Sequence, residues 1–253
     1  MIQKLLLVLV IIFLSQSCAT KKDILYFQDS KKNNLEDIHF EASKIQHNDI
    51  LSIVVTTPLP EAAIPYNIQS LGTANFDIEA LKLQGYLVSK DGIIDFPILG
   101  KIELGGLTID TAEQKIKSLL VEGNHLKNAS VNVRLLNAKV TILGDVRLPG
   151  TFNFSEQSIT LPQALGYSGD LTITGKRKDI MIIREENGVR SINHIDLTKT
   201  DWFSSPYYYI KPNDVIVVNP NKARIKSAGF IGNAGNVLTI ASLILSSIVL
   251  ISR

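Results

Sequence analysis

The sequence has little cysteine and histidine, the residues that most often hold a structural metal ion or a disulfide framework. It contains one cysteine, which excludes a disulfide-stabilised scaffold. Its four histidines, His39, His47, His125 and His194, stand at no metal-ligand spacing. Neither charge predominates, since 26 Lys and Arg residues are interspersed with 24 Asp and Glu residues, and this excludes a strong electrostatic footprint for nucleic acid. We therefore expect no metal, no cofactor and no nucleic-acid partner.

A catalytic group of residues is also missing. Residues 166–169 (Gly-Tyr-Ser-Gly) lack the G-x-S-x-G spacing of a nucleophile turn and follow a predicted helix, so we interpret them as the turn that ends it. Asp49 and Asp214 each precede a β-branched run, and we interpret them as residues that begin turns and not as an acid/base pair. We expect that the chain is not an enzyme.

Long uncharged runs are absent between residues 19 and 227, which excludes a polytopic transporter. The chain is nevertheless 45% hydrophobic, with a mean hydropathy of +0.16, because apolar residues are concentrated at its two ends. The region between the ends has the composition of an ordinary water-soluble protein, long enough for one large core or two small ones.

The N-terminal apolar run predicts an export signal. Residues 5–14 follow Lys4, are too short to span a membrane, and are typical of the hydrophobic region of a signal peptide. The single cysteine, Cys18, resembles the lipid acceptor of a bacterial lipoprotein. The alternative is an ordinary secretory signal followed by an unrelated cysteine. We predict a lipoprotein signal peptide at residues 1–17, lipid attachment at Cys18 and a polar tether at residues 18–45.

The C-terminal apolar run predicts a membrane helix. Residues 228–252 carry no charge, and at ~1.5 Å per residue a helix of this length would cross a bilayer. We therefore expect a transmembrane helix within residues 221–253. Small and polar residues gather on one face of this helix, and apolar residues gather on the other.

The two unlike faces allow two interpretations. A plain anchor would use its small residues to pack against a partner helix. In a ring of identical helices, the polar face would instead line a pore. The predicted pore-facing residues are Asn233, Asn236, Thr239, Ser242 and Ser246, and the predicted lipid-facing residues are Phe230, Val237, Ala241, Ile244, Leu245 and Ile248.

Between the two ends, the pattern predicts two small mixed α/β modules, an α+β arrangement. In the first module, residues 46–137, a hairpin precedes a helix that is capped by Thr108 and closed by Gly123, and a strand follows. In the second, residues 138–220, a mixed sheet surrounds one helix capped by Thr160, in the manner of a β-grasp domain. The tripeptides that end at Asp49 and Asp214 share the pattern x-Asn-Asp, which indicates that both modules begin a strand in the same way.

Aromatic residues cluster near the end of the second module. Trp202 and Tyr208 are candidates for contact with a sugar, because aromatic faces suit the apolar faces of sugar rings. The alternative is an amphipathic strand whose alternate tyrosines are buried.

Several segments together resemble the bacterial outer-membrane polysaccharide export (Wza-like) family. Asp91-Gly92 and the strand after it, with Gly106 and Thr108 ahead of the helix, are similar to the family's export domain. The second module is similar to the family's soluble-ligand-binding β-grasp (SLBB) domain. The matching segments are residues 49–53, 91–100 and 106–108 in the first module, and residues 140–146, 149–150, 160–165 and 168–169 in the second.

The resemblance implies a function and partners. Members of this family are outer-membrane lipoproteins with periplasmic bodies, and they form homo-oligomeric rings through which capsular or extracellular polysaccharide leaves the cell. The implied partners are further copies of the chain, the polysaccharide, membrane lipid and an inner-membrane polysaccharide co-polymerase or tyrosine kinase. The competing hypothesis is a membrane-anchored adaptor lipoprotein of the same machinery without its own pore. A polysaccharide-modifying enzyme is the third hypothesis.

Overall fold

The computed structural model describes residues 21–30, 40–68, 78–186, 188–228 and 234–251. The helices are α1 (Pro60–Ala63), α2 (Ile78–Leu83), α3 (Ile109–Glu122), α4 (Leu161–Tyr167), α5 (Lys222–Ala228) and α6 (Ala234–Ile251). The strands are β1 (Ile50–Thr56), β2 (Tyr86–Leu87), β3 (Ile93–Phe96), β4 (Gly100–Glu103), β5 (Ser130–Leu135), β6 (Lys139–Gly144), β7 (Gly150–Asn153), β8 (Ile159–Thr160), β9 (Gly175–Glu186), β10 (Val189–Ile195), β11 (Tyr209–Ile210) and β12 (Val215–Pro220).

The first core forms between a three-stranded antiparallel sheet and α3. The sheet has the order β2-β1-β5, and the central strand β1 alternates so that Leu51, Ile53 and Val55 face inward. Helix α3 begins where the Thr108 side chain accepts a hydrogen bond from the Thr111 N–H and ends at Gly123, as the sequence predicted. Its buried face is formed by residues at helical spacing, namely Ala112, Ile116 and Leu120.

The second core forms around a five-stranded mixed sheet with the order β10-β9-β12-β6-β7. Strands β6 and β12 run parallel, although most of the module lies between them in sequence, and the other pairs are antiparallel. Helix α4 packs beside the sheet and begins with a capping box, in which Thr160 and Gln163 each satisfy the other's backbone N–H. Leu161, Ala164 and Leu165 are the buried residues of this short helix.

The buried side chains form two clusters, one for each module. The first runs from Ile45 to Val133, and the second runs from Ala138 to Val218. Leu135, at the end of β5, packs against both clusters. The predicted mixture of helix and strand is therefore confirmed, and the chain carries two cores that meet at the end of β5.

The predicted transmembrane helix is wrong. Among the described residues, no helix combines the length and the apolar character that crossing a bilayer requires. Helix α6 has 18 residues, about 27 Å of helix, whereas the hydrocarbon layer is about 30 Å thick. Asn236, Thr239 and several serines also interrupt its apolar sequence. The absence of charge in a run of sequence does not by itself make a helix long and apolar enough to cross a bilayer.

The N-terminal segment 21–30 packs against the second module. The backbone N–H groups of Phe27 and Gln28 donate to the carbonyls of Leu197 (3.2 Å) and Thr198 (2.8 Å). The Tyr26 hydroxyl donates to the Asp170 carboxylate at 2.6 Å, and burial raises the pKa of Tyr26 well above its usual range. Residues 21–30 of the predicted tether are thus fixed to the second module, although the first module comes between them in sequence.

Candidate functional site

The two modules begin a strand with the same turn. The Asp49 N–H donates to the Gln46 carbonyl, and the Asp49 carboxylate accepts from the Gln46 N–H at 2.8 Å. In the second turn, Asp214 and Lys211 make the same pair of hydrogen bonds, at 3.2 and 2.9 Å. The intervening asparagines, Asn48 and Asn213, have positive φ angles of 66° and 69°. Both aspartates are turn residues, as predicted, but each one ends its turn and does not begin it.

The surroundings of the two aspartates differ. The Asp214 carboxylate forms a bidentate pair with Arg184, whose Nη2 lies 2.6 Å from Oδ2, and both side chains are almost fully buried. Arg184 also donates to the carbonyls of Pro206 (3.0 Å) and Tyr209 (2.8 Å). Asp49 is 3% exposed, and burial raises the pKa of its carboxyl from 3.8 to about 6. Burial raises the pKa of both carboxyls, and at Asp214 the paired Arg184 opposes this effect.

A polar joint connects the modules. The buried Lys211 ammonium group of the second module contacts the Glu41 carboxylate at 3.0 Å, and it also binds Glu186 at 3.1 Å. The hydrogen bond from Lys211 lowers the pKa of Glu41. Asn137, which lies between the two cores in sequence, binds the first module's turn through the Ile50 N–H and the Asn48 carbonyl, both at 2.9 Å.

Two open cavities lie beside this joint. One, of about 270 Å³, is lined by Asp49 and Arg134 of the first module and by Glu156 and Pro212 of the second. The other, of about 470 Å³, is lined by residues of both modules, among them His47, Lys90, Glu185 and Arg190. Charged and amide side chains of this kind can donate to and accept from hydroxyl groups. Both cavities therefore offer hydrogen-bond donors and acceptors.

The aromatic cluster is mostly structural. Trp202 is 4% exposed, its indole N–H donates to the Lys199 carbonyl at 2.9 Å, and its ring packs edge-on against Phe203. The structure thus places Trp202 in the core. Tyr208 is half-buried and packs against Trp202 and Tyr209. Contact of Tyr208 with a sugar stays a prediction.

The other predicted site residues belong to α6 or lie outside the described residues. Cys18, Phe230 and Asn233 lie outside the described residues. Thr239, Ser242 and Ser246 are exposed on α6, and the first two hydroxyls donate to backbone carbonyls of the same helix. Asn236, Val237, Ala241, Ile244, Leu245 and Ile248 also belong to α6. The positions of these residues do not test the pore-facing and lipid-facing assignments.

The described part of the chain contains no group of three or more His, Cys, Asp or Glu side chains placed to hold a metal ion. The buried cations Arg184 and Lys211 were not predicted from the sequence. A signal was present for Arg184, because it continues the inward alternation of Ile180 and Ile182 along β9. A charge at a core-facing strand position requires a buried partner.

Comparison with known proteins finds similarity in the first module. Residues 41–136 match the family described as polysaccharide biosynthesis/export protein. The chain is also 32% identical, over 149 residues, to the EPS I polysaccharide export outer membrane proteins EpsA of Ralstonia solanacearum and Ralstonia nicotianae. The alignment covers 56% of this chain and 38% of each relative, so it spans less than half of their length.

The family match covers the whole of the first core. It begins at Glu41, which reaches the joint, and it ends at Leu136, next to Asn137. The match of residues 41–136 to the polysaccharide biosynthesis/export family confirms the resemblance found in the sequence of the first module.

Proposed function

We propose that the chain is a lipid-anchored subunit of an assembly that exports extracellular or capsular polysaccharide at the outer membrane, with both modules in the periplasm. The observation that carries this proposal is the family match over residues 41–136, because it includes every strand and helix of the first core. The relatives in Ralstonia are named as outer-membrane export proteins, and Cys18 stands where a lipoprotein signal would end.

We further propose that several copies of the chain surround the polymer and that an inner-membrane polysaccharide co-polymerase or kinase is their partner. The cavities within one copy are open clefts of about 270 and 470 Å³, so they do not enclose a polymer. A passage made from such subunits requires copies arranged about a closed axis. The polar joint supports this arrangement by fixing the second module against the first.

Deleting the encoding gene from its host is expected to reduce extracellular polysaccharide while polymer accumulates inside the cell envelope. This outcome is specific to export, since loss of a biosynthetic protein would lower total polymer. The measurement is the ratio of extracellular to cell-retained polysaccharide. Total loss of polymer without a retained fraction would contradict an export role.

Complementation of the deletion includes a matched pair of variants on α3. Ile116 is fully buried, whereas Leu119 is 41% exposed on the same helix. Ile116→Asp is expected to behave like the deletion, because an unpaired charge in the core destabilises the first module. Leu119→Asp is expected to restore export. If Leu119→Asp is also inactive at normal protein level, the exposed face of α3 takes part in export directly.

The detergent-extracted mature protein is expected to have a mass that is a multiple of the single-chain mass. Mass photometry or native mass spectrometry would measure this. A stable monomer across the accessible protein concentrations would contradict the proposed assembly of copies and would favour the adaptor hypothesis, while the family assignment would stand.

A further inference from the structure

A third cavity, of about 540 Å³, lies where the N-terminal segment meets the second module. Three parts of the chain that are distant in sequence form its walls. These are Asp23 and Ile24 of the N-terminal segment, Ile173 and residues 175–178 at the start of β9, and residues 219–223 with Ile225 at the junction of β12 and α5.

Basic side chains predominate around this cavity. Lys176, Arg177, Lys178 and Lys222 line it, and Asp23 is the only acidic residue of the lining. Lys21, Lys22 and Arg224 are exposed and stand within two residues of the lining in sequence, which brings the basic residues in and beside the lining to seven. We call these seven residues, with the cavity they surround, the basic face.

Two carboxylates already form ion pairs with the basic face, and both pairs are exposed to solvent. Lys176 pairs with Asp179 at 2.5 Å, and Lys178 pairs with Asp23 at 2.7 Å. Both lysines are nearly half exposed. Exposed pairs contribute little in water, so an incoming anion can exchange with these carboxylates.

Arg177 adds a fixed positive charge beneath the cavity. Its side chain is 5% exposed, and Nη1 donates to the carbonyls of Thr172 (3.2 Å) and Gly175 (3.1 Å). The guanidinium group also lies 5.1 Å from the centre of the Tyr26 ring. None of these partners is a carboxylate, and Nε has no hydrogen-bond partner among the described residues. The guanidinium group of Arg177 is therefore held in place by backbone carbonyls and by the Tyr26 ring.

Exposed apolar side chains accompany the basic residues. Ile173 and Ile225 are 66% and 60% exposed, and Leu25 is 45% exposed beside Ile24. A surface that combines lysines with exposed aliphatic groups matches the boundary between lipid headgroups and acyl chains. A site for a free anion in water would not require the aliphatic groups.

The chain path also brings the basic face close to a membrane. Cys18, the predicted lipid acceptor, precedes Lys21 by three residues, a distance of at most about 10 Å in an extended chain. One lipid chain alone gives reversible binding, and a basic patch beside it is a common second contact.

We propose that the basic face docks on the membrane and binds the phosphate headgroups of anionic phospholipids. The proposal rests on the lipid anchoring proposed above. Lys176, Lys178 and Lys222 bind the phosphates, while Ile173 and Ile225 contact the acyl boundary. The docked face fixes the orientation of the second module against the membrane surface.

The test uses the mature chain carrying Cys18→Ser, so that no lipid chain contributes, in co-sedimentation with vesicles. Binding is expected to vesicles that contain phosphatidylglycerol and not to vesicles of phosphatidylcholine alone. The triple variant Lys176→Gln/Lys178→Gln/Lys222→Gln is expected to lose about tenfold or more in affinity, since each lysine near an anionic surface contributes up to about fivefold. Equal binding to both vesicle types would overturn the proposal.

The matched control is Lys101→Gln/Lys117→Gln/Lys127→Gln, which removes the same charge from exposed positions of the first module. The proposal expects this variant to bind like the parent, and an equal loss in both triple variants would overturn it. Polygalacturonate serves as a soluble acidic polymer. If it binds through the three lysines of the basic face while vesicles do not, the site belongs to the polysaccharide and the proposal is also overturned.

The vesicle measurements and the polysaccharide measurements fail independently. The chain could bind vesicles in a phosphatidylglycerol-dependent way while the deletion strain shows no export defect. That result would contradict the export function and would leave the proposed membrane docking intact. An export defect without vesicle binding would do the reverse.

Discussion

Replacing Asp214 with Asn is expected to destabilise the second module by about 3–5 kcal/mol, because the buried Arg184 guanidinium would lose its counter-charge. The substitution keeps an oxygen that accepts from the Lys211 N–H, so the turn itself can persist. Arg184 would retain the carbonyls of Pro206 and Tyr209 and one neutral amide oxygen, but no carboxylate. Urea unfolding followed by fluorescence measures the effect, since Trp202 is the only tryptophan and belongs to the second core.

An exposed ion pair on the same sheet supplies the control. Arg190 and Glu185 form a salt bridge with both side chains more than half exposed. Glu185→Gln is expected to change the free energy of unfolding by less than about 1 kcal/mol. The double variant Asp214→Asn/Arg184→Met should be more stable than Asp214→Asn, because it leaves no unpaired buried charge. If Asp214→Asn costs no more than Glu185→Gln, the buried pair does not stabilise the module.

Asp49→Asn is expected to stabilise the first module at neutral pH relative to the unmodified chain. The pKa of the Asp49 carboxyl is raised by burial from 3.8 to about 6, so the folded chain binds this proton more tightly than the unfolded chain does. Stability is therefore lost as the pH rises from about 4 to about 6, by at most about 3 kcal/mol. Asparagine carries no charge at any of these values and still offers an oxygen to the Gln46 N–H.

The measured quantity is the difference in unfolding free energy between Asp49→Asn and the unmodified chain at pH 4 and at pH 7. Protection of the β1 amides against hydrogen exchange reports on the first module specifically. The difference is expected to shift in favour of the variant by about 1–3 kcal/mol between the two pH values. If the unfolding free energies of the two proteins vary with pH in parallel, ionisation of Asp49 does not destabilise the folded chain.

Local signals in the sequence were sufficient for the local structure. Thr108 and Gly123 bound α3, and the x-Asn-Asp pattern before β1 and β12 predicted two turns that the structure shows to be the same. These features depend on residues within about one helical turn of each other, and the side chains involved act on the nearest backbone groups. The motifs of the first module also predicted the similarity of residues 41–136 to the polysaccharide biosynthesis/export family.

The long-range features could not be predicted in the same way. Glu41 and Lys211 meet across 170 positions of sequence, and β6 pairs in parallel with β12 after most of a module has intervened. No periodic pattern reports which distant charge or strand will be the partner. The prediction of a C-terminal membrane helix failed for another reason, because the absence of charge does not by itself give a helix the length and apolar character that crossing a bilayer requires.

The docking of Phe27 on the second module has a mechanical consequence. A pull on the N-terminus, for instance from a lipid anchor, meets the backbone hydrogen bonds of Phe27 and Gln28 to Leu197 and Thr198 before it reaches residue 40. The load therefore passes directly into the second module. The first module lies in sequence between the N-terminal segment and the second module. Because these two are joined directly by hydrogen bonds, the force does not pass through the first module.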